Sequence, residues 1–173
     1  MIPQEIVDEL REIVGDRFVL SRPQELLVYN SDGLPGYRKQ PSLGVFPGSR
    51  DETIAVVRLL AREKLSYVPR GAGTGLSGGA LADDVVLLGL HRLTRVISVD
   101  VENRRATVEP GVVNLRLNRT VGPHGLLYAP DPSSEAACTI GGNIAENAGG
   151  PHCLKYGVTL NHVLAIEAIL PNG

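Results

Sequence analysis

The chain is 173 residues long and carries 20 glycines, 12 prolines, 4 % aromatic residues, no tryptophan and a formal net charge of −2. That length fits one ordinary domain with a single core and at most two lobes, and the near-neutral charge excludes a basic nucleic-acid binder and an acidic disordered tail. No apolar run approaches the roughly 18 residues of a membrane span, Met1 to Val14 is too charged for a signal peptide, and Cys138 and Cys153 need no oxidising compartment, so the expected location is cytoplasmic.

Pro3 to Val14 reads as an amphipathic helix with Ile6, Leu10, Ile13 and Val14 on one face and Gly15 just past its end. The stretch that follows is rich in turn residues, with one short helix or turn near Glu25 to Tyr29, so residues 1–40 are expected to be a helical and loop lead-in to a domain over 41–173. Gly44 to Pro47 reads as a short strand. Ser49-Arg50-Asp51-Glu52 is a capping box that starts a helix at Ser49, in which Ile54, Val57, Leu60 and Ala61 recur at helical spacing. Ser66 to Pro69 is then the parallel return strand of a βαβ unit. Further along, Val85 to Leu90 reads as a buried strand, and Thr94 to Asp100 and Arg104 to Glu109 as an antiparallel pair joined through Val101-Glu102-Asn103. Val113 to Val121 is a short helix ended by Gly122-Pro123-His124-Gly125. Val163 to Leu170 reads as a last apolar strand running into Pro171-Asn172-Gly173, a hairpin signal with no second strand to use it. An apolar edge with nothing to pair is an aggregation liability, so the chain is expected to be the front part of a longer polypeptide.

Half of the glycines fall in two short windows, Gly71 to Gly79 and Gly141 to Gly157. The first contains Gly73-x-Gly75-x-x-Gly78, which matches a dinucleotide fingerprint literally. A Rossmann reading also needs a helix opening at the last glycine, and Ala80 to Asp84 leads almost directly into a strand. A Walker A reading fails because Gly-Lys-Ser/Thr occurs nowhere in the chain. What remains is a glycine loop between strands, either a flexible turn or a concave anion site built from successive backbone N–H groups. In the second case Thr74 and Ser77 add hydroxyls and Arg70 adds a positive charge at the rim. The second window, Ala129 to Gly150, consists almost wholly of small residues and amides, suited to packing backbone against a planar ring with polar edges.

These windows carry a resemblance. Pro69-Arg70-Gly71-Ala72-Gly73-Thr74-Gly75-Leu76-Ser77-Gly78-Gly79, then Pro130-Asp131-Pro132, Thr139-Ile140-Gly141-Gly142-Asn143, Asn147-Ala148-Gly149-Gly150 and Leu154-Lys155-Tyr156-Gly157, resemble the FAD-binding domain of flavin-linked oxidases of the vanillyl-alcohol oxidase type. Within that superfamily the chain is most similar to the glycolate oxidase FAD subunit and D-lactate dehydrogenase group, from about Asp32 onward. The resemblance implies an α+β, PCMH-type fold, with a small βαβ subdomain and a mixed or antiparallel sheet subdomain with flanking helices, incomplete at its C-terminus. It implies that Pro69, Arg70, Gly71, Ala72, Gly73, Thr74 and Gly75, with Ser77, cradle the FAD pyrophosphate. It further implies that Ser133, Ser134, Ala137, Thr139, Gly142, Asn143, Asn147, Ala148 and Gly149 line the ribityl chain and isoalloxazine. Relatives with covalent flavin carry a His in the first glycine loop; this loop has none, so FAD is expected to be non-covalent.

The implied activity is oxidation of a small 2-hydroxy acid of the glycolate or D-lactate type, with hydride transfer to the flavin. The implied partner is an electron-accepting iron–sulfur subunit, through which the protein would be membrane-associated, and the unpaired edge strand offers a route to a homo-oligomer. The alternative is a non-catalytic remnant or interaction module that keeps the fold. No catalytic residue is assigned, because the groups that abstract the substrate proton lie largely in a C-terminal cap domain of this family. His124, His152, His162 and Cys153 lack metal-site spacing and are expected to be structural. Cys138 is expected to be a packed thiol, and Asp83-Asp84 a solvated turn. Lys155 and Tyr156 are either near the flavin or a plain surface Lys and core Tyr.

Overall fold

The computed structural model describes residues 2–173, which divide into two compact units: residues up to Arg92 together with Glu167–Gly173, and Leu93–Ile166. Each unit has its own apolar cluster, where the length alone predicts one core.

The first unit is built on strands β1 (Val19–Leu20), β2 (Leu43–Val45), β3 (Tyr67–Arg70) and β4 (Val86–Gly89), in the order β1-β2-β4-β3. β1 is antiparallel to β2, with Val19 opposite Val45. β2 and β3 are both parallel to β4, with Leu87 opposite Gly44 on one side and Val68 on the other. The βαβ direction therefore matches the sequence pattern, but β4 is inserted between the two strands, and β2 and β3 share no ladder. Every residue of β2 and β4 is buried, which is why they read as continuous apolar runs.

Helix α1 (Gln4–Val14) packs on α3 (Arg50–Arg62) over this sheet, burying Val7, Leu10 and Val14 against Val56, Val57, Leu59 and Leu60. The 1–40 segment thus contributes a helix, a strand and the buried Leu26 of α2 (Pro23–Leu26) to the first unit. Ala61, expected on the buried face, is exposed. The stripe runs through Thr53, Val56, Val57 and Leu60 and bends toward Leu59, which leaves Ala61 at its margin. The capping box forms with one arm displaced. Ser49 Oγ accepts from Glu52 N at 3.1 Å, while the Glu52 carboxylate accepts from Gly48 N at 2.7 Å instead of from Ser49 N.

The second unit holds the antiparallel pair β5 (Val96–Asp100) and β6 (Arg105–Val108), with a bulge between Val96 and Ser98, followed by α4 (Asn114–Val121), α5 (Ile140–Glu146) and α6 (Cys153–Tyr156). Its core is Val112, Leu117, Val121 and Ile140. Glu109 is buried beside it and accepts from Arg95 N at 2.7 Å and Arg95 Nε at 2.9 Å.

Val163 to Leu170 is not a strand. No strand among the described residues pairs with it, and Leu164, Ile166 and Leu170 are exposed, while Ile169 packs against the first unit's core. Apolar composition cannot make a ladder without a partner for its backbone groups. The turn at its end does form, with Gly173 N donating to Leu170 O at 2.7 Å.

Candidate functional site

In the first unit, β3 ends at Arg70, and the chain then runs through residues 71–85, the glycine-rich stretch first, before entering β4. Among the described residues, none of the backbone amides of Gly71, Ala72, Gly73, Thr74, Gly75 and Leu76 donates a hydrogen bond within the chain. Six consecutive unclaimed donors in a glycine-rich loop are chemically matched to an anionic group with many acceptor oxygens, such as a diphosphate. Gly73 is in the left-handed region at φ +69°, a conformation that side chains disfavour.

Arg70 corrects the expectation of a charge at the rim. It is 7 % exposed and lies behind the loop: Nη1 donates to Tyr29 O and Ala80 O, each at 3.2 Å, and Nη2 donates to Ser31 O at 2.7 Å. Burial pushes its pKa down, opposed by the neighbouring Asp32 and Tyr29. Asp32, which the sequence did not single out as a site residue, accepts from Gly78 N at 3.0 Å and from Leu34 N at 2.8 Å. Gly33 N donates to Gly75 O at 2.9 Å, and a Cβ at Gly33 would stand 2.6 Å from Thr74 O, so only glycine allows this approach. Pro69 is an exposed member of β3, and Ser77 is exposed at the loop's far side.

In the second unit, Ser133, Ser134 and Ala137 lie in turns that Ser134 O closes by accepting from Ala137 N at 2.8 Å and Cys138 N at 2.7 Å. Thr139 is the N-cap of α5, its Oγ1 accepting from Gly142 N at 3.3 Å. Gly141 fits only as glycine, since a Cβ there would meet Pro110 Cβ at 2.7 Å. Asn143 is 2 % exposed, and its Nδ2 has no partner among the described residues. Asn147 ends the helix in the left-handed conformation at φ +50°.

The loop Asn147-Ala148-Gly149 is fastened by a residue outside the expected set. Thr159 is fully buried and donates to Ala148 O through both its N–H, at 3.0 Å, and its Oγ1, at 2.7 Å; Leu160 N adds a bond to Asn147 Oδ1 at 3.0 Å. The signal for Thr159 in sequence was only its place two residues after Gly157.

The titratable residues nearby occupy structural positions. His152 Nδ1 lies 3.2 Å from Asp131 Oδ2 and 3.3 Å from Ala129 O, and its N–H donates to Asp131 Oδ1 at 2.9 Å. Cys153 Sγ accepts from Gly150 N at 2.9 Å. Burial pushes the Cys138 thiol up, which disfavours the thiolate a nucleophile requires. Tyr156 is not a core residue: it is 46 % exposed, with Lys155 Nζ 4.9 Å from its ring centroid.

The sequence profile of the family described as "FAD binding domain" matches residues 41–173. The chain belongs to the FAD-binding domain family. This FAD-binding domain is 48 % identical over 159 residues to the glycolate oxidase subunit GlcD of Escherichia coli K12, covering 91 % of the chain and 32 % of that relative. GlcD of Bacillus subtilis is 39 % identical over 175 residues, covering 100 % and 37 %, and the D-lactate dehydrogenase of Anaerostipes hadrus is 35 % identical over 174, covering 99 % and 36 %. The FAD-binding domain thus spans about a third of the length of these relatives. Among solved structures, alkyldihydroxyacetonephosphate synthase superposes at TM-score 0.89 with 20 % identity, covering 100 % of the chain and 34 % of that protein. p-Cresol methylhydroxylase superposes at 0.74 with 24 % identity, covering 84 % and 29 %. At such identities the likeness shows a shared fold alone, the α+β architecture described above. No helix among the described residues is long and apolar enough to cross a membrane.

Proposed function

We propose that this chain is the cofactor-holding part of an enzyme that oxidises a small 2-hydroxy acid, glycolate or D-lactate in type, and that its FAD is bound non-covalently. The observation that carries this reading is the row of unclaimed amides from Gly71 to Leu76 on a loop fastened from behind, in a chain whose relatives are a glycolate oxidase subunit and a D-lactate dehydrogenase.

In the first unit, Pro69, Arg70, Gly71, Ala72, Gly73, Thr74, Gly75 and Ser77 form the cradle for the pyrophosphate, with the amides as donors and Arg70 acting from beneath. In the second, Ser133, Ser134, Ala137, Thr139, Gly142, Asn143, Asn147, Ala148 and Gly149 line the ribityl chain and the ring. Bound flavin supplies the two-electron acceptor for the substrate's hydride; the residues of this chain bind and orient it. The absence of His between Pro69 and Gly79 supports the non-covalent mode. The electron-accepting partner in this reading is an iron–sulfur subunit, in keeping with relatives that are named as subunits, and membrane association would come through that partner. Self-association through the exposed Leu164–Leu170 segment is a separate reading, tested by the sedimentation velocity of the purified chain.

The test is reconstitution. Purified chain mixed with FAD and desalted retains the visible flavin spectrum, and acid precipitation then leaves all flavin in the supernatant. A colourless desalted protein overturns the binding reading; flavin remaining with the precipitate overturns the non-covalent mode.

A further inference from the structure

The glycine loop of the first unit is fastened by one short segment, Tyr29 to Leu34, at both of its shoulders. At the near shoulder the buried Arg70 guanidinium ties Tyr29 O and Ser31 O to Ala80 O. At the far shoulder the Asp32 carboxylate holds Gly78 N while its other oxygen holds Leu34 N. Between them Gly33 N holds Gly75 O. From the loop itself these ties consume the carbonyls of Gly75 and Ala80 and the single amide of Gly78; the amides from Gly71 to Leu76 are left alone. A carboxylate beside an anion site would repel its ligand, so its presence needs a reason. A carboxylate oxygen is a stronger acceptor for a backbone N–H than a neutral one, and the Arg70 guanidinium lies close enough to interact with the Asp32 charge.

Ordering a flexible loop costs backbone entropy at every residue that is fixed. A loop already tied at both shoulders has met that cost in folding and does not draw it from ligand binding. We infer that Asp32 and Arg70 are positioning residues, which hold the Gly71–Leu76 amides in a fixed row for a diphosphate without touching it through their own side chains. This inference rests on the reading that the loop takes the FAD pyrophosphate.

The test separates positioning from simple destabilisation. FAD, ADP and riboflavin are titrated into the wild-type chain and into Asp32→Asn, Asp32→Ala and Arg70→Lys. The expected result is a loss of about tenfold or more in FAD and ADP affinity for Asp32→Ala, with riboflavin, which has no phosphate, unchanged. Asp32→Asn keeps one acceptor oxygen and recovers part of the loss. Arg70→Lys cannot reach three carbonyls and behaves like Asp32→Ala. Equal losses for ADP and riboflavin, or no loss for either, overturn the inference. Amide hydrogen exchange of the ligand-free protein provides an arm independent of cofactor: Asp32→Asn speeds exchange at Gly33, Leu34 and Gly78, the amides that these ties hold, while the β2 and β4 amides keep their protection. Unchanged loop exchange overturns the positioning role. Failure of the wild-type chain to bind FAD or ADP overturns the functional reading instead.

Discussion

The guanidinium of Arg70 fills the space that a side chain on Gly73 would need. This places two residues of one motif in a lock-and-space relationship: glycine is required at 73 because arginine is buried at 70. The arginine in turn is buried because Tyr29, Ser31 and Ala80 offer it carbonyls.

Gly73→Ala should therefore fail on two counts. The left-handed backbone costs an L-residue about 1–2 kcal/mol, and the methyl group must displace a hydrogen-bonded guanidinium. The expected outcome is a lowered melting temperature together with loss of FAD binding, measured by thermal unfolding and by flavin fluorescence titration. Gly36→Ala, where nothing lies within 4 Å of the added Cβ, is the control that changes neither.

Leu10→Ala tests whether the first forty residues belong to the core. Leu10 is fully buried between α1 and α3, and truncating such a leucine costs about 2–5 kcal/mol. Urea unfolding should show that loss. A midpoint unchanged from wild type would make the segment the dispensable lead-in that its turn-rich sequence suggests.

Much of the architecture was legible in the sequence because it rests on local physics. The capping residue Ser49, the apolar runs of β2 and β4, and the polar joint between β5 and β6 each act over a few residues. What was not legible depends on chain reversal. Periodicity cannot show that β4 enters between β2 and β3, nor that the carbonyls of Tyr29 and Ser31 converge on Arg70 across about forty positions. The segment Val163 to Leu170 illustrates the opposite error, since its composition is that of a strand and its backbone has no ladder. The glycine windows themselves were found from composition alone; Asp32 and Thr159, which fasten them, carry no compositional signal.

Thr159→Val removes the Oγ1 bond to Ala148 O while the Thr159 N–H bond to the same carbonyl persists. The expected cost is about 1 kcal/mol in stability, with faster amide exchange confined to the Asn147–Gly149 loop. Thr159→Ser restores both. Exchange that rises equally across the unit would show that Thr159 serves packing alone.

Glu109 gives the acid limb of stability a named contributor. Burial pushes its pKa up, but the hydrogen bonds and charge of Arg95 outweigh this, and the net shift is downward from 4.5. A carboxylate depressed in the folded state stabilises it above its unfolded pKa, and that contribution is lost as pH falls through the folded value. Glu109→Gln should lower stability at neutral pH and flatten its decline below about pH 4.5. Chemical denaturation at a series of pH values checks both; parallel profiles for the two proteins would remove Glu109 from the account.

The insertion of β4 between β2 and β3 also sets a timetable for synthesis. A nascent chain that has emerged only through Arg70 has made β2 and β3, which share no ladder in the folded sheet, and the strand that joins them arrives after the glycine loop. Translation must reach Gly89 before the sheet can close. Products ending short of Val86 would leave β3 without any neighbour and one side of β2 open, and exposed strand edges of that kind drive association between chains. The glycine loop is thus the passage from the edge strand β3 to the strand it pairs with, and a chain stalled there would carry open strand edges instead of a closed sheet.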